Sequence, residues 1–79
     1  MWYVVSYWDH DPDVGEFLNQ HKFDLLSDAL VFAEEKGAMV TSPMGLKHYR
    51  RHGDKVQVFY MDWKTITTFD ELIEMENES

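Results

Sequence analysis

The chain has 79 residues, and its 15 acidic against 7 basic side chains give a net charge of −8 and a pI near 4.7. This length allows one small domain, and the lack of cysteine excludes a disulfide framework, a zinc ribbon and thiol chemistry. No apolar run is long enough for a membrane span, and the N-terminus lacks the pattern of a secretory signal, so we expect a cytoplasmic protein with no membrane partner.

The first third of the chain predicts a hairpin. Residues 2–8 are aromatic and β-branched, which is typical of a strand. Residues 9–15 have turn formers at nearly every position and predict a loop. Residues 16–23 allow two interpretations: the return strand of a hairpin, which we favour, or a helix that Asp11 and Pro12 would cap.

The middle of the chain predicts the main helix, over residues 25–36. Apolar residues recur there at helical spacing and form one stripe. Asp24 stands at the N-cap position, and Gly37 stands where a left-handed C-cap is needed.

The following segment predicts three further strands. Residues 38–41 form a short strand that a Ser-Pro-Met-Gly turn ends, and residues 46–51 and 55–63 form a second hairpin. Gly53 lies in the turn of this hairpin, where glycine supplies the positive φ that a tight turn requires.

The C-terminal segment predicts a short helix. Thr68 and Glu71 match the Thr-x-x-Glu pattern of a capping box, and residues 74–79 are expected to fray as an acidic tail. The predicted order is β-β-α-β-β-β-α. We therefore expect an α+β fold, one domain over residues 1–79, in which a small antiparallel sheet packs against one main helix, and the short C-terminal helix lies on the same or the other face.

Two predicted strands, residues 2–8 and 55–63, are apolar on both faces, which a strand with one solvated face would not be. The simpler interpretation is that one helix covers each face. Two short helices barely suffice for that, so the alternative is an exposed aromatic patch on the second face. Trp8, Tyr60 and Trp63 are then the expected contact residues, because Trp and Tyr commonly anchor protein interfaces and homodimers.

Charge is distributed unevenly along the chain. Residues 47–55 carry a net +3, so the remaining residues carry −11. Carboxylates cluster near the C-terminus, where we expect Asp70, Glu71 and Glu74 to steer the chain towards a basic surface of another protein. By analogy of size and charge with small acidic anti-defence proteins of phages, the more specific expectation is a nucleic-acid mimic that inhibits or regulates a nucleic-acid-processing enzyme.

The basic hairpin favours an alternative function, direct binding of nucleic acid. Lys47, Arg50, Arg51 and Lys55 could contact phosphates while Tyr49 stacks on a base. The negative charge of the rest of the chain opposes this at low salt, and cations on an edge strand also prevent aggregation. We therefore rank a non-enzymatic protein-binding module first and nucleic-acid binding second.

Metal and catalytic motifs are weak in this sequence. The aspartates within residues 9–13 follow the 1, 3, 5 spacing of an EF-hand loop, but Val14 stands where that loop requires glycine. His48 and His52 would share one helix face, whereas on a strand the same spacing separates them by about 13 Å. No nucleophile elbow or Gly-rich phosphate loop is present, so we expect no metal, no cofactor and no enzyme activity.

Overall fold

A single six-stranded sheet and two helices form the fold, in a computed structural model that describes residues 1–78. The elements are β1 (Tyr3–Asp11), β2 (Gly15–Phe23), α1 (Leu26–Lys36), β3 (Val40–Thr41), β4 (His48–His52), β5 (Lys55–Phe59), β6 (Trp63–Thr68) and α2 (Phe69–Asn77). All neighbouring strands are antiparallel, in the order β2-β1-β3-β4-β5-β6. The predicted α+β fold, with one main helix and one short C-terminal helix, is confirmed.

The structure adds the strand β6, which the sequence pattern did not predict. The predicted strand over residues 55–63 ends instead at Phe59, and the chain reverses through residues 60–62 before β6 begins. This turn contains neither glycine nor proline, the residues from which a turn is normally recognised.

The first hairpin settles the ambiguity over residues 16–23, because they form the return strand β2. β1 continues to Asp11, so the predicted loop from residue 9 shortens to residues 12–14. The Asp11 carboxylate accepts hydrogen bonds from the backbone N–H groups of Asp13 and Val14, at 2.8 and 3.3 Å. Asp11 therefore closes a turn, as aspartate side chains often do, and does not cap a helix.

The N-terminus of α1 differs from the prediction, because the N-cap residue is Leu25 and not Asp24. The Leu25 side chain is apolar and cannot accept a hydrogen bond from the backbone, so it does not cap the helix. Instead the Glu76 carboxylate, from α2, accepts hydrogen bonds from the backbone N–H groups of Leu26 at 2.8 Å and Ser27 at 3.3 Å, and from the Ser27 hydroxyl. A residue about 50 positions away thus satisfies the donors at the start of α1.

The predicted caps at two other helix ends are confirmed. Gly37 ends α1 in the left-handed conformation, with φ of 64°. Thr68 caps α2, since its hydroxyl accepts a hydrogen bond from the Glu71 N–H at 3.2 Å. α2 continues to Asn77 and so includes the first residues of the predicted tail; residue 79 of that tail lies outside the described residues.

Both helices pack on the same face of the sheet. Their apolar side chains and those of β1, β3 and β5 form one buried cluster. Its members are Val5, Leu26, Ala29, Leu30, Ala33, Val40, Val56, Phe69 and Leu72. The interpretation in which one helix covers each face is therefore wrong. Within residues 1–78, no helix has the length and apolar character to cross a membrane.

The β1–β2 hairpin projects from the rest of the sheet. β1 pairs with β2 along nine residues but with β3 only at Val4 and Val5. The distal part of the hairpin therefore has no neighbouring strand on its β1 side among the described residues, and the molecule measures 45 Å in one direction against 26 and 25 Å in the others.

Candidate binding surface

The face of the sheet away from the helices, which we call the open face, is defined by the strand register. Directly paired residues share a face of a sheet, so the residues that alternate with the buried Val5, Val40 and Val56 point away from the helices. The side chains of interest here are Val4, Trp8, Glu16, Leu18, Lys22, His48, Arg50, Lys55, Phe59 and Trp63.

The open face differs in charge from the rest of the molecule. It carries three cations, Lys22, Arg50 and Lys55, against one acidic side chain, Glu16, which gives a net +2. Because the whole chain carries −8, the remaining residues carry −10. The structure therefore places a weakly positive aromatic face opposite a helix side on which α1 and α2 together carry −6.

A row of rings crosses the open face on three neighbouring strands. His48, Phe59 and Trp63 are paired in register on β4, β5 and β6. The centroid of the Phe59 ring lies 6.5 Å from that of His48 and 5.2 Å from that of Trp63. With Met39 and Arg50, these side chains line a cleft of about 390 Å³.

Arg50 is held in a fixed position over this row. Its guanidinium carbon lies 3.9 Å from the centroid of the Trp63 ring, which is the geometry of a cation–π interaction. Its Nε donates a hydrogen bond to Gln57 Oε1 at 2.9 Å. Both partners are neutral, so the positive charge of Arg50 is oriented by these contacts without being neutralised by them.

The three predicted aromatic contact residues do not form one cluster. Trp8 is 69% exposed and pairs with Leu18 on the projecting hairpin, while Tyr60, 64% exposed, lies in the turn before Trp63. Trp8 and Trp63 share the open face but lie four strand spacings apart, which is about 19 Å across the sheet. Trp63 and Tyr60 are close in the chain, whereas Trp8 belongs to a separate part of the surface.

The predicted acidic residues lie on the other side of the molecule. Asp70, Glu71 and Glu74 are all exposed on α2, which packs on the helix side of the sheet. The Glu71 carboxylate also accepts a hydrogen bond from the Thr67 hydroxyl at 2.9 Å. The sheet therefore separates these acids from Trp63, and one flat partner surface cannot contact both sets.

The predicted nucleic-acid-binding residues are split between the two faces as well. Arg50 and Lys55 lie on the open face, Tyr49 and Arg51 point to the helix side, and Lys47 is exposed in the loop before β4. Alternation along one strand causes this separation, because successive side chains point to opposite faces. The five residues therefore do not form a single surface.

Tyr49 and Arg51 are occupied by contacts within the fold. The Tyr49 ring packs edge-on against Tyr3 with 6.3 Å between centroids, and burial, with Tyr3 as the lesser cause, raises the pKa of Tyr49. The Arg51 guanidinium lies 3.8 Å from the centroid of the Phe69 ring, and its Nε lies 3.5 Å from the Glu34 carboxylate. Arg51 thus joins β4 to both helices.

Neither metal motif forms a ligand cluster. One oxygen of Asp11 is used in the turn described above, and Asp9 accepts a hydrogen bond from Asn19 at 3.3 Å. His48 and His52 lie at the two ends of β4. Throughout residues 1–78, no group of three or more His, Asp or Glu side chains could hold a metal ion.

Besides Met39, sequence reasoning missed two members of the cleft that lie on the second hairpin, His48 and Phe59. A signal for them was present, because a hairpin with its turn at Gly53 pairs His52 with Lys55. The same register pairs Arg50 with Gln57 and His48 with Phe59. Counting pairs outward from the predicted turn would have placed these residues beside Arg50 on one face.

Comparison with known proteins adds no relative from which function could be transferred. No family model, no curated protein and no solved structure matches this chain. Its function is therefore inferred from the geometry and charge of the open face.

Proposed function

We propose that this chain is a non-enzymatic module that binds another protein with its open face. The observation that carries the proposal is that both helices pack on one face and leave the His48–Phe59–Trp63 row uncovered. Contiguous aromatic surface is rarely exposed on a soluble monomer unless it has a partner. Trp8 and Leu18 extend the apolar surface along the projecting hairpin.

The charge of the open face favours a partner segment that is acidic and carries an apolar side chain. An apolar side chain would enter the cleft beside Phe59 and Trp63, where it would be desolvated as interface anchors are. A neighbouring carboxylate would pair with Arg50, whose guanidinium the Trp63 and Gln57 contacts already orient. The acidic helix side would repel the same segment and so favour docking on the open face.

The acidic helix side supports a second and more specific candidate, inhibition of a nucleic-acid-processing enzyme. Asp70, Glu71 and Glu74 are exposed on α2, and the molecule outside the open face carries −10. Such a surface could occupy a basic groove in place of phosphates. Because these acids and the open face are on opposite sides, the two candidates are separate binding modes with separate tests.

Affinity capture with matched variants tests both candidates. A tagged chain would be incubated with nuclease-treated lysate, and each protein retained would be retested with two variants. Phe59→Ala with Arg50→Gln alters only the open face, and Asp70→Lys with Glu74→Lys alters only α2. Loss of the retained protein with the first pair supports the open face, and loss with the second pair supports the acidic inhibitor.

The same experiment addresses the nucleic-acid alternative. Two results together would favour nucleic-acid binding over protein binding. Partners would disappear on nuclease treatment, and single-stranded oligonucleotides at low salt would change the tryptophan fluorescence of the chain but not that of a Trp63→Phe variant, because bases stack on the ring row. Such binding should weaken steeply as salt is raised. A partner that survives the nuclease and is lost with neither variant pair would contradict both protein-binding candidates.

A further inference from the structure

The outer strand β2 has an open edge. β2 pairs with β1 along all nine of its residues in one continuous register, and among residues 1–78 no strand lies on its other side. The backbone N–H and C=O groups that point away from β1 are therefore available to another strand.

This edge has few of the features that usually prevent strand addition. Gly15–Phe23 contains no proline, no bulge interrupts its pairing with β1, and Lys22 is its one cation. The opposite edge strand, β6, has a register shift opposite Val56 and Gln57, and such an irregularity twists an edge away from a flat partner. β2 is thus the less protected of the two edges.

We propose that a second copy of the chain pairs with β2, so that the two β2 strands run antiparallel about a twofold axis at Asn19. In a continuous sheet, paired residues have their side chains on the same face, and side chains alternate between faces along each strand. The twofold axis must therefore pass through one residue of β2, because an axis between two residues would pair side chains from opposite faces. The register centred on Asn19 is the one that pairs all nine residues of β2. It places Glu16 of each copy opposite Lys22 of the other copy, so the dimer contains two such pairs.

The neighbouring symmetric registers are less favourable. Centring on Leu18 places Lys22 opposite Val14, and centring on Gln20 places Lys22 opposite Leu18 and Glu16 opposite Asp24. Both shorten the ladder and lose the charge pairs. Opposite charges that face each other across two strands stabilise the pairing, whereas like charges destabilise it. The longest ladder and the complementary charges therefore select the same register.

The dimer goes beyond the proposed function, because it uses the strand edge and leaves the His48–Phe59–Trp63 row free. The monomeric variant Glu16→Lys removes no cation from the open face and should therefore still bind the partner of that face. Failure of the dimer and failure of partner binding are consequently distinguishable.

Charge reversal at two positions tests the pairing. Sedimentation equilibrium at about 0.15 M salt, where repulsion between the acidic chains is screened, should give the unaltered chain a mass of twice 9.4 kDa. Lys22→Glu or Glu16→Lys alone should weaken association roughly tenfold or more, because both attractive pairs become repulsive. Lys55→Glu, a matched reversal on β5, should leave association unchanged.

Mixing the two single variants provides the decisive measurement. In a mixed dimer, one copy carries Glu at positions 16 and 22 and the other carries Lys at both, so every cross-strand pair is again complementary. At a concentration where the unaltered chain is mostly dimeric, the mass of each variant alone should shift towards 9.4 kDa, and the mass of the equimolar mixture should return towards twice that value. A monomeric mass for the unaltered chain, or a mixture that stays monomeric, would overturn the proposal. Unchanged circular dichroism of each variant shows that it is folded.

Discussion

The cap that Glu76 forms on α1 gives the sharpest test of the fold, because sequence rules assign that cap to Asp24. The substitution Glu76→Ala removes the carboxylate that accepts from the Leu26 N–H at 2.8 Å, from the Ser27 N–H at 3.3 Å and from the Ser27 hydroxyl. It also removes a negative charge from the positive end of the α1 dipole. Asp24→Ala removes a side chain with no part in the α1 cap.

The loss of stability expected for Glu76→Ala can be estimated from these hydrogen bonds. Loss of an N-cap costs about 1 kcal/mol, and leaving the buried Ser27 hydroxyl without its acceptor costs about another 1 kcal/mol. We therefore expect Glu76→Ala to lower the free energy of unfolding by roughly 2 kcal/mol, which for a domain of this size lowers the Tm by roughly 8–16 °C.

The measurement is urea and thermal unfolding followed by circular dichroism, with Glu74→Ala as the matched control. Glu74 is exposed on the same helix, so its substitution should change the free energy of unfolding by less than about 0.5 kcal/mol. Asp24→Ala should behave like this control. If Asp24→Ala destabilises the protein as much as Glu76→Ala, or if Glu76→Ala matches Glu74→Ala, the cross-helix cap is refuted.

Two further predictions concern the free energy of unfolding: one compares Arg51 with Arg50, and the other concerns the titration of Tyr49. Arg51→Gln should lower the free energy of unfolding by about 1–2 kcal/mol in urea titrations, because Arg51 packs on the core residue Phe69 and pairs with Glu34. Arg50→Gln should cost less than about 1 kcal/mol, because its partners Trp63 and Gln57 lie outside the core; equal losses would contradict this. Because burial raises the pKa of Tyr49 above 10.0, the native state keeps a proton that the unfolded chain loses, so stability should fall as pH rises above that value. Tyr49→Phe should flatten the Tm profile between about pH 9 and 11, and an unchanged slope would show that another group titrates.

Turn and register rules for hairpins predict part of the His48–Phe59–Trp63 row but not all of it. Gly53 correctly indicated the turn between β4 and β5, and that turn alone implies the pairs that bring His48, Arg50 and Phe59 together. Trp63 joins them only through β6, which begins after a turn without glycine or proline. The complete row therefore depends on a chain reversal that only one turn-forming residue, Asp62, marks in the sequence.

The division between Arg50 and Arg51 shows a different limit. The two residues are adjacent in sequence and equal in charge, so the sequence pattern predicts one basic patch. In the sheet they point to opposite faces, so Arg50 stays on the open face while Arg51 stacks on Phe69. Strand alternation separates them in any sheet, but which of them faces the helices depends on where the helices pack.

Local sequence patterns specify the α+β class, the main helix, the caps at Gly37 and Thr68, the hairpin around Gly53 and the excess of acidic charge. Each of these follows from steric preferences or hydrogen bonds that act within a few residues of the chain. Tertiary structure alone decided that both helices cover the same face and that Glu76 caps α1. Those outcomes depend on contacts between residues far apart in sequence, and the free energy of burying the common core selects them.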